Sequence, residues 1–237
     1  KDDTERRVIS SFADEKTFLH LADEVFVLSR QTKTILAKDY DVSEDKTHLV
    51  YNGMGNHVCC KLNPHHSKKC RKDVQRNILY VGRLDEIKGL KYLISAFEEI
   101  AKKHPDTHLV IVGDGDFQPY LAQGRKLKGR ITFLGKMQND EVDEVYKSAY
   151  IGVMPSFHEQ CSYTAIEMMR HGIPIIGTDS TGLSEMLDAT PQLRVHIDED
   201  TFNEKAFVTQ IAQRMDLLLS DDNAFCEASD AVCNQYE

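Results

Sequence analysis

No apolar run in the sequence approaches the roughly 20 residues that a membrane-spanning helix needs. The opening KDDTERR has none of the character of a signal peptide. A first residue of lysine implies a natural start further upstream. Cysteine is also sparse. Six in 237 residues are too few for a disulfide scaffold and fit a reducing, cytoplasmic compartment in which most stay as thiols. Positive charge is in deficit, with 29 Lys and Arg against 38 Asp and Glu, for a net charge of −9. Such a surface is a poor match for nucleic acid or anionic lipid, although a local basic site can exist within it.

Several chemical signatures are missing too. Gly113-Asp114-Gly115 does not extend to G-x-G-x-x-G, so a dinucleotide fingerprint is unsupported. There is no Walker A motif, no H-E-x-x-H and no nucleophile triad. D-x-D triplets occur at Asp39–Asp41, Asp114–Asp116 and Asp198–Asp200; three hits in one acidic chain carry little information. No metal site is expected from them. Cys59, Cys60, His65, His66 and Cys70 have the donor types of a zinc site but not its paired spacing. A solvated loop is the plainer reading.

What the chain does have is alternation. Residues 1–55 read α-β-α-β, with a helix over 6–22, a strand over 25–28, a helix capped by Ser29 and a strand over 47–51. They look like the tail of a larger domain. Residues 56–76 lose all periodicity and read as a linker or excursion. From 77 to 237 strands alternate with helices. Strands are expected over 78–81, 108–112, 131–134, 150–154, 173–176 and 193–197. Helices are expected over 88–103, 117–127 and 140–149, then from Ser162 onward, over 202–219 and to about 235. This predicts an α/β fold, a Rossmann-like doubly wound parallel sheet built from right-handed βαβ units. Ligands in such sheets bind beyond the carboxyl ends of the strands, where the glycine-rich and polar segments fall.

Arg83 follows a strand directly, and Lys88 opens the next helix. Two cations at one strand end suit a diphosphate; the alternative is a pair of ordinary surface charges. Ser162 can cap the helix carrying Glu167. The amides of Cys161, Ser162, Tyr163 and Thr164 would then face the same crevice as an anion site, unless this is an ordinary capped helix. Glu167 stands among Ala165, Ile166, Met168 and Met169, so its carboxylate needs donors. The two hydroxyls of a ribose would satisfy it, and so would a structural partner. Glu159, in the preceding turn, could accept from sugar hydroxyls or be a plain loop glutamate.

These motifs carry a resemblance. YVGRLDEIKGL (80–90) resembles G-R-L-x-x-x-K-G, Gly113-Asp114-Gly115 resembles the G-D-G after the next strand, and HEQCSYTAIEMMRHGIPIIGTDSTGLSEM (158–186) resembles an E-x7-E block with its G-x-P-V-I and G-G-x-x-E continuation. LADEVFVLS and HLVYNGM resemble the last pieces of the preceding domain. Over about residues 18–190 the chain resembles the C-terminal, donor-binding half of the retaining GT-B-fold glycosyltransferases of family four (group 1), with a remnant of their N-terminal domain.

The resemblance implies a metal-independent, cofactor-free transferase. Its donor would be a nucleoside-diphosphate sugar of UDP, GDP or ADP type, and its acceptor a glycan or lipid-linked glycan. Arg83 and Lys88 would hold the diphosphate, Glu159 the donor sugar and Glu167 the ribose. Cys161, Ser162 and Tyr163 would meet phosphate or sugar, Gly113 would border the substrate, and backbone near Met137 would border the base. Two departures stand out: Gln160-Cys161-Ser162 replaces the usual x-F-G after the first glutamate, and Thr181-Gly182 replaces a glycine pair. The N-terminal domain, expected to supply acceptor contacts and any peripheral contact with the inner face of the membrane, would be largely absent, leaving this piece inactive alone. Other readings are a sugar-nucleotide 2-epimerase of the same fold, a nicotinamide-binding Rossmann enzyme and a non-catalytic nucleotide-sugar-binding module.

Overall fold

The computed structural model of the chain describes residues 3–55, 76–127, 129–198 and 200–236. The cysteine and histidine cluster at 59–70 lies outside them. The chain divides into two compact units, Lys1–Asn52 and Gly53–Glu237.

The first unit is small. Helix α1 (Asp3–Leu21) leads to strand β1 (Val25–Val27), helix α2 (Arg30–Lys38) and strand β2 (Thr47–Leu49). The two strands run parallel, Val25 opposite Thr47. Ser29 caps α2 by accepting the Thr32 amide at 3.0 Å, as its position before the helix requires. Lys46 Nζ donates to the carbonyls of Leu19, His20 and Ala22, placing a cation on the orphan acceptors at the end of α1. Val27, Leu36 and Val42 form the buried cluster.

The second unit holds the six-stranded sheet. In chain order it contains β3 (Arg76–Val81), α3 (Leu90–Lys103), β4 (Thr107–Val112), α4 (Gln118–Gln123), β5 (Ile131–Gly135), α5 (Asn139–Ser148), β6 (Ala149–Met154), α6 (Tyr163–Arg170), β7 (Ile175–Thr178), α7 (Thr181–Met186), β8 (Arg194–Val195), α8 (Glu204–Ser220) and α9 (Asp222–Tyr236). All pairings are parallel, in the spatial order β5-β4-β3-β6-β7-β8.

Strand β6 reads Ala-Tyr-Ile-Gly-Val-Met and is buried at every position. That is the continuous apolar run expected where helices cover both faces of a parallel sheet. Phe97, Leu93 and Ile94 of α3 and Phe207, Ile211 and Met215 of α8 fill one core cluster with Ile78, Leu109 and Ile151 from the strands. Helix α3 buries eight of its fourteen residues, so packing rather than propensity carries it.

The order of the strands sets the site. From β3 the chain winds outward through β4 to β5. Helix α5 then returns it, and β6 pairs on the other side of β3. The winding direction reverses between β3 and β6. In an open parallel sheet a crevice opens beyond the carboxyl ends at that reversal.

Some expectations need correction. The strand expected at 173–176 lies at 175–178; Ile173 and Pro174 form its approach, where Pro174 accepts from Gly152. The helix expected over 117–127 is α4 followed by a 3₁₀ turn over Gly124–Leu127. Helix α7 was not anticipated. It is six residues long and too short to show a periodic apolar face.

Candidate functional site

At the reversal, β3 is followed by Gly82-Arg83 and β6 by Pro155 through Ser162. A cavity of about 210 Å³ lies between them. Its lining includes Arg83, Lys88, Glu159 and Ser162 from the sequence-based set. Tyr80, Gly82, Ser156 and Thr164 also line it. Sequence reasoning singled out Thr164, through its amide, but not Tyr80, Gly82 or Ser156 as ligand contacts. Cys161, Tyr163, Glu167, Gly113 and Met137 lie outside that lining.

The β3 arm is built around Tyr80 and Asp85. Tyr80 is buried at 2% exposure and its hydroxyl donates to the Arg83 carbonyl at 2.7 Å. Burial, and secondarily the nearby Asp85 charge, push its pKa well up, so the phenol stays a donor. Asp85 begins a 3₁₀ turn over Glu86–Lys88, its Oδ1 accepting the Lys88 amide at 3.1 Å. Its Oδ2 pairs with Arg83 at 3.0 Å. One aspartate thus shapes the turn that carries both cations. The sequence signal was available in its position two residues after Arg83, but only as one acid among many.

Across the crevice, Lys88 Nζ lies 2.5 Å from Glu159 Oε1, with side-chain exposures of 19% and 13%. The two arms are also joined through backbone. The Phe157 amide donates to the Ile87 carbonyl at 2.8 Å. Gly89 has φ +69°, and a Cβ there would lie 2.1 Å from the Pro155 carbonyl oxygen. Only glycine meets both demands.

The turn after β6 is gripped from behind by α7. Gly182 N donates to the Glu159 carbonyl at 2.9 Å, and the Thr181 hydroxyl donates to the same oxygen. A Cβ on Gly182 would lie 1.5 Å from the Gln160 carbonyl oxygen. The Thr181-Gly182 pair therefore keeps the glycine that the close approach demands and adds a hydroxyl to hold the turn.

Helix α6 begins at Tyr163 with Ser162 in the N-cap position, but the Ser162 side chain makes no capping bond. This corrects the expectation of a serine cap. The amide of Ser162 is not open either, since it donates to the Met186 sulfur at 3.3 Å. Tyr163 is 55% exposed, and Cys161 is buried.

Glu167 lies one turn into α6. Its Oε2 accepts from the Tyr146 hydroxyl of α5 at 2.7 Å. Tyr146 is 2% exposed and stacks on His171, with ring centroids 5.5 Å apart and 20° between planes. His171 Nε2 lies 2.9 Å from Asp143 Oδ1, which also pairs with Arg170 at 2.5 Å. Burial tends to raise the Asp143 pKa. The bonds from Lys147 and His171 outweigh it, so the carboxylate is held below its ordinary range. Burial lowers the His171 pKa against the pull of Asp143.

Gly113 follows β4. A Cβ on it would lie 1.8 Å from the Gly82 carbonyl oxygen, and its own amide donates to Gly135 at 2.9 Å. The ends of β3, β4 and β5 are drawn together here, with Leu84 N bonding Asp114 O at 2.8 Å. Met137 is half-buried in the turn before α5. Among the described residues no group of three or more His, Cys, Asp and Glu side chains is arranged to hold a metal ion. No described helix is long and apolar enough to cross a membrane.

The chain is similar to known glycosyltransferases in sequence and in fold. An uncharacterized glycosyltransferase of Methanocaldococcus jannaschii is 32% identical over 174 residues, which is 69% of this chain and 44% of that protein. The sucrose-phosphate synthase of Thermosynechococcus elongatus superposes with a TM-score of 0.77 at 22% identity, covering 99% of this chain and 58% of that one. The pneumococcal O-GlcNAc transferase GtfA, in complex with UDP and GlcNAc, superposes with a TM-score of 0.74 at 16% identity, covering 95% and 44%. At these identities the structural matches speak to the fold, which is that of GT-B glycosyltransferases. The chain spans less than half the length of the curated relatives it matches. The family described as Glycosyl transferases group 1 matches residues 75–221, and that stretch contains β3 through α8 and every side chain of the crevice: the chain belongs to the group 1 glycosyl transferases.

Proposed function

We propose that this chain carries the donor site of a retaining, metal-independent glycosyltransferase of family four, which moves a sugar from a nucleoside diphosphate to a glycan or lipid-linked acceptor. The observation that carries this reading is the Lys88–Glu159 pair, which spans the crevice where the sheet reverses. A cation and an anion poised there match the two ends of the reacting bond. In the reaction the bond from the anomeric carbon to the diphosphate oxygen breaks, and its electron pair leaves on that oxygen. Arg83 and Lys88 stabilise the charge as it develops. The acceptor hydroxyl forms the new bond and releases its proton.

Binding exchanges partners. The diphosphate takes Lys88 from Glu159, and Glu159 turns to the hydroxyls of the donor sugar. Arg83, exposed beside Asp85, swings to the same phosphates. Glu167 accepts from the ribose. Backbone at Cys161, Ser162 and Tyr163 meets phosphate or sugar. Because Met186 covers the Ser162 amide, that contact requires the thioether to move. Gly113 contributes by letting the strand ends close up, and backbone near Met137 borders the base. UDP is the natural first probe, since GtfA holds UDP and GlcNAc.

Residues 1–55 belong, in this reading, to the tail of an N-terminal domain, 56–76 to a connector and 77–237 to the donor domain. The rest of the N-terminal domain would supply acceptor contacts and any peripheral membrane contact, so the present chain binds donor but turns over little. Calorimetric titration of UDP, GDP, ADP and their sugars, on the wild type and on Lys88→Ala and Glu167→Ala, tests the assignment. Binding by the wild type that both substitutions weaken is the expected result. No binding at millimolar nucleotide, or unaltered binding by both variants, would sink it.

A further inference from the structure

The Glu167 carboxylate is not free to offer all its lone pairs. Oε2 already holds the Tyr146 hydroxyl at 2.7 Å. A phenol has one proton to give, so this bond fixes which oxygen is occupied. Oε1 has no protein donor among the described residues. Tyr146 itself is clamped. It is buried, it stacks on His171, and His171 is held by Asp143, which Arg170 and Lys147 also engage.

We infer that Tyr146 is a positioning residue for nucleotide binding: by occupying Oε2 of Glu167 it aims Oε1 at a ribose hydroxyl and makes the site select ribonucleotides over 2′-deoxyribonucleotides. This rests on the assignment of Glu167 to the ribose. The physical argument is one of lost freedom. An unheld glutamate samples several rotamers and must be ordered when ligand arrives, whereas one pinned at Oε2 is ordered in advance. Burial and the adjoining Glu167 charge push the Tyr146 pKa up, which keeps the phenol protonated and donating. Tyr146 is not among the residues that line the cavity.

The test is the ratio of affinities for UDP and 2′-deoxy-UDP, measured by calorimetry on the full chain, with the ADP and GDP pairs alongside. The wild type is expected to favour the ribose form by about tenfold, the worth of one charge-assisted hydrogen bond. Tyr146→Phe should cut that ratio to about two- to threefold while leaving affinity for the deoxy form unchanged. A general packing defect would weaken both forms equally, and so would overturn the inference, as would an unchanged ratio. Asp143→Asn keeps the phenol but releases the ring it stacks on. It should lower the ratio about twofold and serves where Tyr146→Phe does not fold; an unchanged ratio there overturns the inference equally. Glu167→Ala separates the two layers. Loss of the ratio in Glu167→Ala with its retention in Tyr146→Phe defeats the positioning role alone. Retention in both defeats the ribose assignment and the inference with it.

Discussion

The turn after β6 and the body of α6 each present one glutamate to the same end of the sheet, and they treat it differently. Glu159 is held by a mobile partner: the Lys88 ammonium, on a flexible stem, from a segment 71 residues earlier. Glu167 is held by a rigid one, the Tyr146 ring, itself stacked and buried. The first pairing can be exchanged when a more strongly charged anion arrives. The second is made to a ring whose position is fixed by its burial and its stack on His171. Under the proposed function, two carboxylates eight residues apart are thus fitted for different work, one for a contact remade during each cycle and one for a contact that stays.

The largest effect should come from breaking the support of the exchangeable arm. Gly182→Val places a Cβ where the Gln160 carbonyl oxygen stands, 1.5 Å away. The turn must shift, at a cost of about 3 kcal/mol or more. Thermal denaturation should show a lower midpoint, and calorimetry should show nucleotide binding lost. Survival of wild-type binding would mean that the position of the turn does not matter.

Next in size is Lys88→Ala. It removes the proposed diphosphate contact and strands Glu159, and is expected to weaken UDP about 100-fold, near 2.7 kcal/mol. Adding Glu159→Ala should recover part of any lost stability, because the stranded charge goes with it. A double-mutant cycle in which the two costs simply add would show that the pair is not coupled. Glu159→Gln alone should be milder for UDP and more severe for the UDP-sugar. Competition between the two ligands checks this.

The smallest effect concerns the rigid arm. Buried His171 stays neutral in the fold, its pKa lowered by burial, but takes up a proton more readily once unfolded. The unfolded chain therefore binds more protons below the ordinary histidine value of about 6.5. Stability from this group is present above that pH and falls as pH drops through it. Denaturant midpoints from pH 7.5 to 5.5 should decline, and His171→Phe should flatten that part of the slope. Asp143 keeps its charge over this range, so its contribution changes only at lower pH.

Much of this was legible before any coordinates. Apolar runs such as Ile78–Val81 and Tyr150–Met154, each followed by Gly or Pro, report strands buried on both faces, because that is what burial demands of them. Polar residues directly after such runs fall at one end of the sheet. Arg83, Lys88, Glu159 and Ser162 were found in this way.

What the pattern could not give was pairing. Nothing local says that Lys88 reaches Glu159, or that β6 rather than β4 lies opposite its loop. Tyr146 and Met186 were invisible for another reason. Tyr146 sits where an apolar residue would satisfy the helix period, so its phenol reads as core, and Met186 ends a helix too short to show a period. The Ser162 cap failed differently: the residue stands at the N-cap position, but its side chain makes no capping bond, and its own amide donates to the Met186 thioether.

The reversal of winding between β3 and β6 has a consequence for the order in which the molecule is assembled. Strands β3, β4 and β5 can pair through short, local crossovers. The crevice exists only after β6 returns to the far side of β3, where Asn77 pairs with Ala149; of the pairings among these four strands this one joins the residues farthest apart in sequence. A nascent or refolding chain that has completed only β3, β4 and β5 has no crevice at all. In the proposed reading, nucleotide binding during refolding reports that one pairing, and a ligand that binds there stabilises it.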